Sequence, residues 1–318
     1  MKRSTRMLTM LHFLPAGAFL RLAYLNEIGH ILHLKKPRRF NEKLNALKLH
    51  SAASTWSRYV DKLEAREHVA SVIGDEHLVP LIARYDSVNE IDWDALPYRF
   101  VIKCTHGSHC GIVCMDKSRF DTADAEAKLR KWMSRSWYWY GRETPYKTVQ
   151  PRIMVEQFIG DDAPAQDYKL MCFGGLPRII QVHTKRDGQA TIDFFNLYGQ
   201  KLAMRKKGYP SSTLESLKPS VICKLFPIAR KLSADFPYVR VDLYLHNEQV
   251  YFGEMTFFDS AAFREFEPEP VNVLLGDMIP LPGQCATKTR DETTIDLSGG
   301  GILLERIHSE YAPRLSEN

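Results

Sequence analysis

The stretch VRVDLYLHNEQVYFGEMTFF, residues 239–258, constrains the fold most. Two runs of β-branched and aromatic residues flank the polar turn His246-Asn247-Glu248, the pattern of two strands turned back on one another. Inside these apolar runs stand Arg240, Asp242 and Glu254. Side chains alternate between the two faces of a strand, so Arg240 and Asp242 share a face, as do Glu254 and Thr256. If those faces coincide, two carboxylates and a guanidinium meet within an apolar sheet. A buried carboxylate is costly unless it is paired or bound to metal. Two of them suit a hard cation such as magnesium, completed by water and phosphate oxygens. An Arg240–Asp242 salt bridge with Glu254 exposed satisfies the same pattern without a ligand.

The stretch VIKCTHGSHCGIVC, residues 101–114, poses a second question. A strand that delivers Lys103 into Thr105-His106-Gly107-Ser108 offers an ammonium and a glycine-containing turn whose N–H groups suit phosphate oxygens. Cys104, His106, Cys110 and Cys114 offer zinc ligands, although their spacing matches no familiar zinc pattern. Plain core cysteines beside an unrelated turn are the third reading. In VEQFIG, 155–160, Glu156 and the backbone after it can meet adenine and ribose, or form an ordinary edge strand ending in a polar turn. Asp167 and Lys169 alternate onto one face of the following strand, where Lys169 can balance phosphate charge.

Around these stretches the chain predicts helices over 41–70 and 124–141, strands over 77–87, 99–106 and 152–160, a hairpin about Gly174-Gly175 and a helix near 221–235. Helices, strands mixed with a helix, and hairpins flanking another helix make an α+β chain with largely antiparallel sheets. Neither Gly-x-Gly-x-x-Gly opening a helix nor Gly-x-x-x-x-Gly-Lys-Ser/Thr is present. The 318 residues, 44% hydrophobic, are ample for a core, and the net charge of +5 is too mild to argue for nucleic acid. Six scattered cysteines fit a reduced, cytoplasmic compartment. Residues 8–25, interrupted by His12, Pro15 and Arg21, fall short of a membrane span. They read as a packed N-terminal helix or, with Lys2, Arg3 and Arg6, as a basic segment resting on the inner face of a membrane through residues 1–30.

Taken together and in order, FNEKLNALKLH (40–50), DKLEAREHV (61–69), FVIKCTHGS (100–108), WYWYGRETPYK (137–147), PRIMVEQFI (151–159), DYKLMCFGGLPRIIQV (167–182), FPYVRVDLY (236–244) and VYFGEMTF (250–257) resemble the TupA-like branch of the ATP-grasp superfamily, named for teichuronopeptide biosynthesis. The resemblance covers roughly residues 30–280. It implies an ATP-grasp fold of two α+β lobes with ATP held between antiparallel sheets, and a chemistry in which ATP phosphorylates a carboxylate before an amine displaces the phosphate. By position it implies that Lys103 contacts the nucleotide phosphates under a loop of His106, Gly107 and Ser108, with Arg66 as a further phosphate ligand and Lys169 beside them. It further makes Glu156, Gln157, Phe158 and Ile159 the hinge at adenine. Asp242 and Glu254 would hold magnesium, and Arg240 would steady the transferring phosphoryl group.

Three positions depart from the branch. Thr256 stands where a second metal motif often has asparagine, and offers a hydroxyl in place of an amide oxygen. His109 replaces the last glycine of His-Gly-Ser-Gly. FDSAAF, 258–263, replaces a Pro-Gly-Ser-Gly-like turn in a region that tends to face substrate.

The expected organisation is a helical lead (1–60), an α/β segment (61–98), a small nucleotide-binding lobe (99–155), a large lobe with the metal site (156–280) and a tail (281–318). The expected function is an ATP- and magnesium-dependent carboxylate–amine ligase of surface polysaccharide or glycan-peptide biosynthesis. Its partners would be a small-molecule or glycan carboxylate and an amine acceptor, with no nucleic acid. A kinase acting on a sugar or lipid-linked hydroxyl, and a non-catalytic partner of a membrane-apposed glycan assembly complex using Trp137-Tyr138-Trp139-Tyr140, are the alternatives.

Overall fold

The computed structural model describes Met10, residues 12–186 and 188–281, and the backbone of two short strands at 293–296 and 303–306. Lys2, Arg3, Arg6, Cys285 and most of the tail beyond Pro280 lie outside the described residues. In chain order the elements are α1 (Ala16–Ile28), α2 (Phe40–Lys48), α3 (Glu64–Ile73), β1 (Leu81–Tyr85), β2 (Phe100–Cys104), β3 (Gly111–Cys114), α4 (Thr122–Met133) and β4 (Ile153–Gln157). There follow β5 (Gln166–Phe173), β6 (Leu176–Arg186), β7 (Gln189–Phe195), β8 (Arg205–Lys206), α5 (Pro219–Ser233), β9 (Tyr238–His246), β10 (Gln249–Thr256), β11 (Phe266–Glu267), α6 (Val271–Asp277), β12 (Thr293–Asp296) and β13 (Leu303–Arg306).

The chain forms two compact units. The first takes the residues up to Leu32, then Asn45–Ala165 and His246–Met255; the second takes His33–Leu44, Gln166–Leu245 and the chain from Thr256. Both units are therefore discontinuous in the sequence. Residues 33–44 belong to the second unit because Arg39 is salt-bridged to Glu265 at 2.6 Å and to Glu269. Asn41 also donates to Arg264 O at 2.9 Å, and the Lys43 ammonium to Ile279 O at 2.9 Å.

The first unit carries an antiparallel sheet in the order β1-β4-β2-β3. On β2 the alternation is strict: Phe100, Ile102 and Cys104 are buried, while Val101 and Lys103 take the other face. The buried face joins Ile153, Val155 and Leu129 of α4 in one apolar core, and Cys110 and Cys114 lie in it. Asp121 caps α4 by accepting from Asp124 N at 2.9 Å, and in the turn before α3 Asp61 accepts from Leu63 N at 2.9 Å. α3 then buries Ala65, Val69 and Ile73, spaced by four. The helix expected over 124–141 ends at Met133, and a separate turn of helix spans Tyr138–Gly141. Ser134 and Ser136 are poor helix residues. Arg142 ends the second turn at φ +54°, its guanidinium over the rings of Phe19, Tyr138 and Trp139.

In the second unit the strand order β9-β5-β6-β7 is antiparallel throughout. Gly174 and Gly175, at φ +54° and +80°, make the tight β5–β6 turn that needs two left-handed residues. A Cβ on Gly175 would also stand 2.8 Å from Ala234 O. α5 begins at Pro219, where a missing N–H costs nothing. It turns Ile222, Leu225, Ala229 and Leu232 inward and lies against β5 and β6. Phe40, Phe173, Tyr238 and Phe266 meet edge-on or tilted at centroid distances of 5.1 to 6.3 Å, the aromatic centre of this core. Asn247 and Glu248, at φ +47° and +67°, turn β9 into β10, the hairpin turn that the sequence predicts. Among the described residues no helix is long and apolar enough to cross a membrane.

Lys48, 1% exposed, is held by Asn45 Oδ1 at 3.0 Å and Gly141 O at 2.9 Å. Burial, opposed by the charge of Glu143, brings its pKa down to about 7 from the ordinary 10.5. Between those values the unfolded chain binds the proton and the folded one does not, so stability rises with pH across that window. Urea unfolding at a series of pH values should show this rise in the wild type and a flattened profile in Lys48→Met.

Candidate functional site

In the first unit the chemistry gathers at Glu156. β2 and β4 run antiparallel with Val101 opposite Glu156 and Lys103 opposite Met154, which puts Lys103 and Glu156 on one face. Lys103 Nζ lies 2.5 Å from Glu156 Oε2, and Arg66 of α3 reaches Oε1 at 3.0 Å while also donating to Val79 O at 2.9 Å. The Glu156 side chain is 8% exposed, so its charge is desolvated and shared between two cations. Arg66, Lys103 and Glu156 are thus brought together. Beyond Glu156, Gln157 is exposed, Phe158 buried and Ile159 half-buried. Gln157 N donates to Pro80 O at 2.9 Å, and Ile159 O accepts from Ala165 N at 3.0 Å.

The loop after Lys103 is anchored from below. Cys104 N donates to Cys110 O, Thr105 N to Arg152 O, and Lys62 Nζ to Gly107 O at 2.7 Å. His106 is 3% exposed, with its Nε2 3.1 Å from Trp132 O, so that nitrogen carries the proton and donates. Burial lowers the His106 pKa against the effect of that bond, which keeps the ring neutral. The imidazole therefore faces the interior, and Ser108 and His109 form the outer part of the loop. A Cβ on Gly107 would stand 1.6 Å from Trp137 Nε1, so the glycine is required by the indole packed on it. His109 takes φ +56°, the conformation that glycine adopts most cheaply. Among the described residues no acceptor is set against the backbone N–H groups of 106–109. A cluster of such donors suits an anion.

The zinc reading fails on the same geometry. Cys104, Cys110 and Cys114 are buried free thiols, and burial pushes the first two to about 12 and about 11. Among the described residues no group of three or more His, Cys, Asp or Glu could hold a metal by itself.

In the second unit six charges form one chain, five of them buried and Asp167, its side chain 28% exposed, at one end. Lys169 sits directly opposite Asp242 in the β5–β9 ladder. Its ammonium lies 2.6 Å from Asp242 Oδ2 and 2.5 Å from Asp167 Oδ2. Arg240 grips Asp242 through Nε and Nη2, both at 2.7 Å, and reaches Asp259 Oδ1 through Nη1 at 2.8 Å. Lys206 closes the chain on both oxygens of Asp259, at 2.8 and 2.7 Å. The order Asp167–Lys169–Asp242–Arg240–Asp259–Lys206 alternates in sign, so each buried charge is neutralised by its neighbours. Burial opposes the ionisation of Asp259, but Lys206 and Arg240 outweigh it and hold the carboxyl below the usual range. His183 is driven down to about 3 by burial first, then by Lys169, Arg240 and Lys206.

The Arg240–Asp242 salt bridge of the ligand-free reading is therefore present. Glu254 belongs to the first unit, where its Oε2 lies 3.5 Å from Lys62 Nζ and its side chain is 28% exposed. Magnesium fits this donor set in chemistry. Asp242 accepts three hydrogen bonds from cations, and a carboxylate offers about four acceptor positions. That count leaves a fourth acceptor position, in keeping with a site that takes one or two carboxylates plus phosphate oxygens. Thr256 is different: its Oγ1 accepts from Arg240 Nη2 at 3.1 Å, and a neighbouring guanidinium makes it a poor ligand for a second cation.

Sequence reasoning missed three residues. Lys62 stands in the quoted DKLEAR motif, and Asp259 in the departing FDSAAF turn, so both had a signal. Lys206, in an ordinary basic run, had none. The FDSAAF turn places Ser260, Ala261 and Ala262 in succession at φ +52°, +53° and +55°. Each costs about 1–2 kcal/mol for a residue with a Cβ. Asp259, clamped by Lys206 and Arg240, anchors the start of that turn.

Removing Asp259 leaves buried Lys206 without its carboxylate and takes one of the two carboxylates of Arg240. Asp259→Ala should lose about 3–5 kcal/mol in urea unfolding. Lys206→Met combined with Asp259→Ala should recover part of that loss, because one uncompensated charge goes with it.

The profile of the family described as TupA-like ATPgrasp matches residues 42–280. Among curated proteins none matches the sequence. Solved structures similar to the chain include a RimK domain protein ATP-grasp from Sphaerobacter thermophilus, at 14% identity and TM-score 0.41, covering 72% of this chain and 69% of that one. D-alanine–D-alanine ligase from Bacillus anthracis is similar at 13% identity and TM-score 0.36, over 63% of this chain and 57% of that one. The ATP-grasp ligase PsnB complexed with minimal precursor, Mg and ADP is similar at 8% identity and TM-score 0.35, over 65% and 52%. The chain thus spans a little over half the length of the last two. With the family profile matched across three-quarters of its length, in α+β units with antiparallel sheets, the chain belongs to the TupA-like ATP-grasp family.

Proposed function

We propose that this protein is an ATP- and magnesium-dependent carboxylate–amine ligase acting through an acylphosphate, in the building of a surface polysaccharide or a peptide-decorated glycan. The observation that carries the reading is the pairing of Lys103 and Arg66 on Glu156 beside a loop of unengaged N–H donors. Both cations are held ready by a carboxylate that can yield them to an anion of higher charge. Lys103 and Arg66 bind nucleotide phosphates, with the 106–109 backbone over them. Residues 156–159 meet the adenine. Asp242 and Glu254 hold magnesium, which supplies charge neutralisation at the phosphates. Arg240, clamped at three points, steadies the transferring phosphoryl group, and Lys169 balances its charge. Phosphoryl transfer asks a protein for positioning and charge more than for covalent help.

The amine then attacks the acyl carbon and phosphate leaves, so one oxygen of the carboxylate departs with the phosphate. The carboxylate is a small molecule or a glycan uronate, and the protein works at the cytoplasmic face of a membrane.

Lys103→Met should weaken nucleotide binding by about ten- to a hundredfold in calorimetry, the loss of one charge-assisted contact. Asp242→Asn and Glu254→Gln should each reduce ATP-dependent product formation at least about a hundredfold; full retention would remove the metal assignment. With a carboxylate substrate labelled by oxygen-18, the label should appear in the released phosphate. A phosphoester product with no phosphate released would instead identify a kinase.

A further inference from the structure

Eleven large apolar side chains are exposed among the described residues, and five of them fall within residues 10–31. Met10 and Phe13 are 78% and 79% exposed, followed by Leu22, Leu25 and Ile31. α1 buries Phe19, Leu20, Ala23 and Tyr24 on one side. At 100° per residue, Leu22 and Leu25 point away from that side. A helix apolar on both sides has an apolar medium on both sides. Leu49, also exposed, borders the helix at Gly17. The turn before the helix is fixed: the His12 ring stacks on Trp139 with centroids 4.2 Å apart, so Met10 and Phe13 project beside an anchored residue.

Charge identifies the occupant. From Met1 to Asn26 there are four basic residues, Lys2, Arg3, Arg6 and Arg21, and the first acidic residue is Glu27. Exposed apolar side chains on α1 and the turn before it, in a stretch of sequence with four cations ahead of its first anion at Glu27, match the boundary of an anionic lipid surface. We propose that the N-terminal segment docks on an anionic bilayer. Met10, Phe13, Leu22 and Leu25 enter the acyl boundary, and the basic residues supply the attraction. The inference rests on the membrane-facing part of the proposed function and names its surface and lipid class; it uses none of the ligase chemistry.

Sedimentation of the full chain with two kinds of vesicle tests it, one of phosphatidylcholine alone and one containing phosphatidylglycerol. The chain should pellet with the anionic vesicles, weakly with the neutral ones, and less as salt rises. Met10→Ser with Phe13→Ser changes only exposed side chains and should lower anionic binding at least about tenfold. Arg3→Glu with Arg6→Glu should do the same. Circular dichroism and nucleotide binding should match the wild type in both variants. Negligible pelleting with either vesicle overturns the surface and the membrane placement together. Anionic pelleting that survives Met10→Ser/Phe13→Ser overturns the surface alone, and equal binding to neutral vesicles overturns the lipid class. A dimer that this variant dissolves, with no lipid binding in the wild type, would assign the face to a second copy and overturn the proposal.

Discussion

The bond that the second unit depends on is the grip of Arg240 on Asp242. A guanidinium cannot shed its proton, so once β9 buries Arg240 its charge and its donors need acceptors in the core. Asp242 satisfies Nε and Nη2, and Asp259 satisfies Nη1. Those two carboxylates then require cations of their own, and Lys169 and Lys206 supply them from β5 and β8. One buried arginine thereby fixes the pairing of β5 with β9 and the anchoring of the 259–262 turn. Such a chain contributes little net stability after desolvation, and its function is to define one arrangement of charge.

The first unit solves the complementary problem. Glu156 holds two cations that would otherwise repel one another, while the neighbouring loop leaves its N–H groups unengaged. The loop is pinned by Lys62, His106 and Trp137, so its donors are presented by a fixed backbone. Gly107 and His109 carry that geometry in different ways. The former admits an indole against the chain, and the latter accepts a left-handed conformation at some cost.

Much of this was legible before folding. Alternation on 239–258 placed Arg240 and Asp242 on one face, and the polar turn and the Gly174-Gly175 pair marked both hairpins. Lys103, Arg66 and Glu156 were each singled out as nucleotide contacts, without any sign that the carboxylate pairs with both cations. His106 was read as part of a covering loop, yet its ring is turned inward because Trp132 offers it an acceptor. The α4 boundary, β3, β7 and the short β8–β11 pair escaped because their residues carry weak periodicity and gain their strand or helix state from neighbours. Lys206 escaped for the same reason: nothing in a basic run tells which lysine a distant aspartate will select.

The sequence by itself determined the α+β class, the charged faces inside apolar strands and the family to which the chain belongs, since these follow from residue periodicity and from motifs in order. Only the tertiary structure decided which charges pair. It moved residues 33–44 into the unit built by 166–245, through Arg39, Asn41 and Lys43, and it joined Asp259 to Arg240 across nineteen positions. The physical reason is desolvation. A charge in water tolerates any partner or none, but a charge sealed in a core needs opposite charge, hydrogen-bond acceptors or an aromatic face against it, and only packing supplies them.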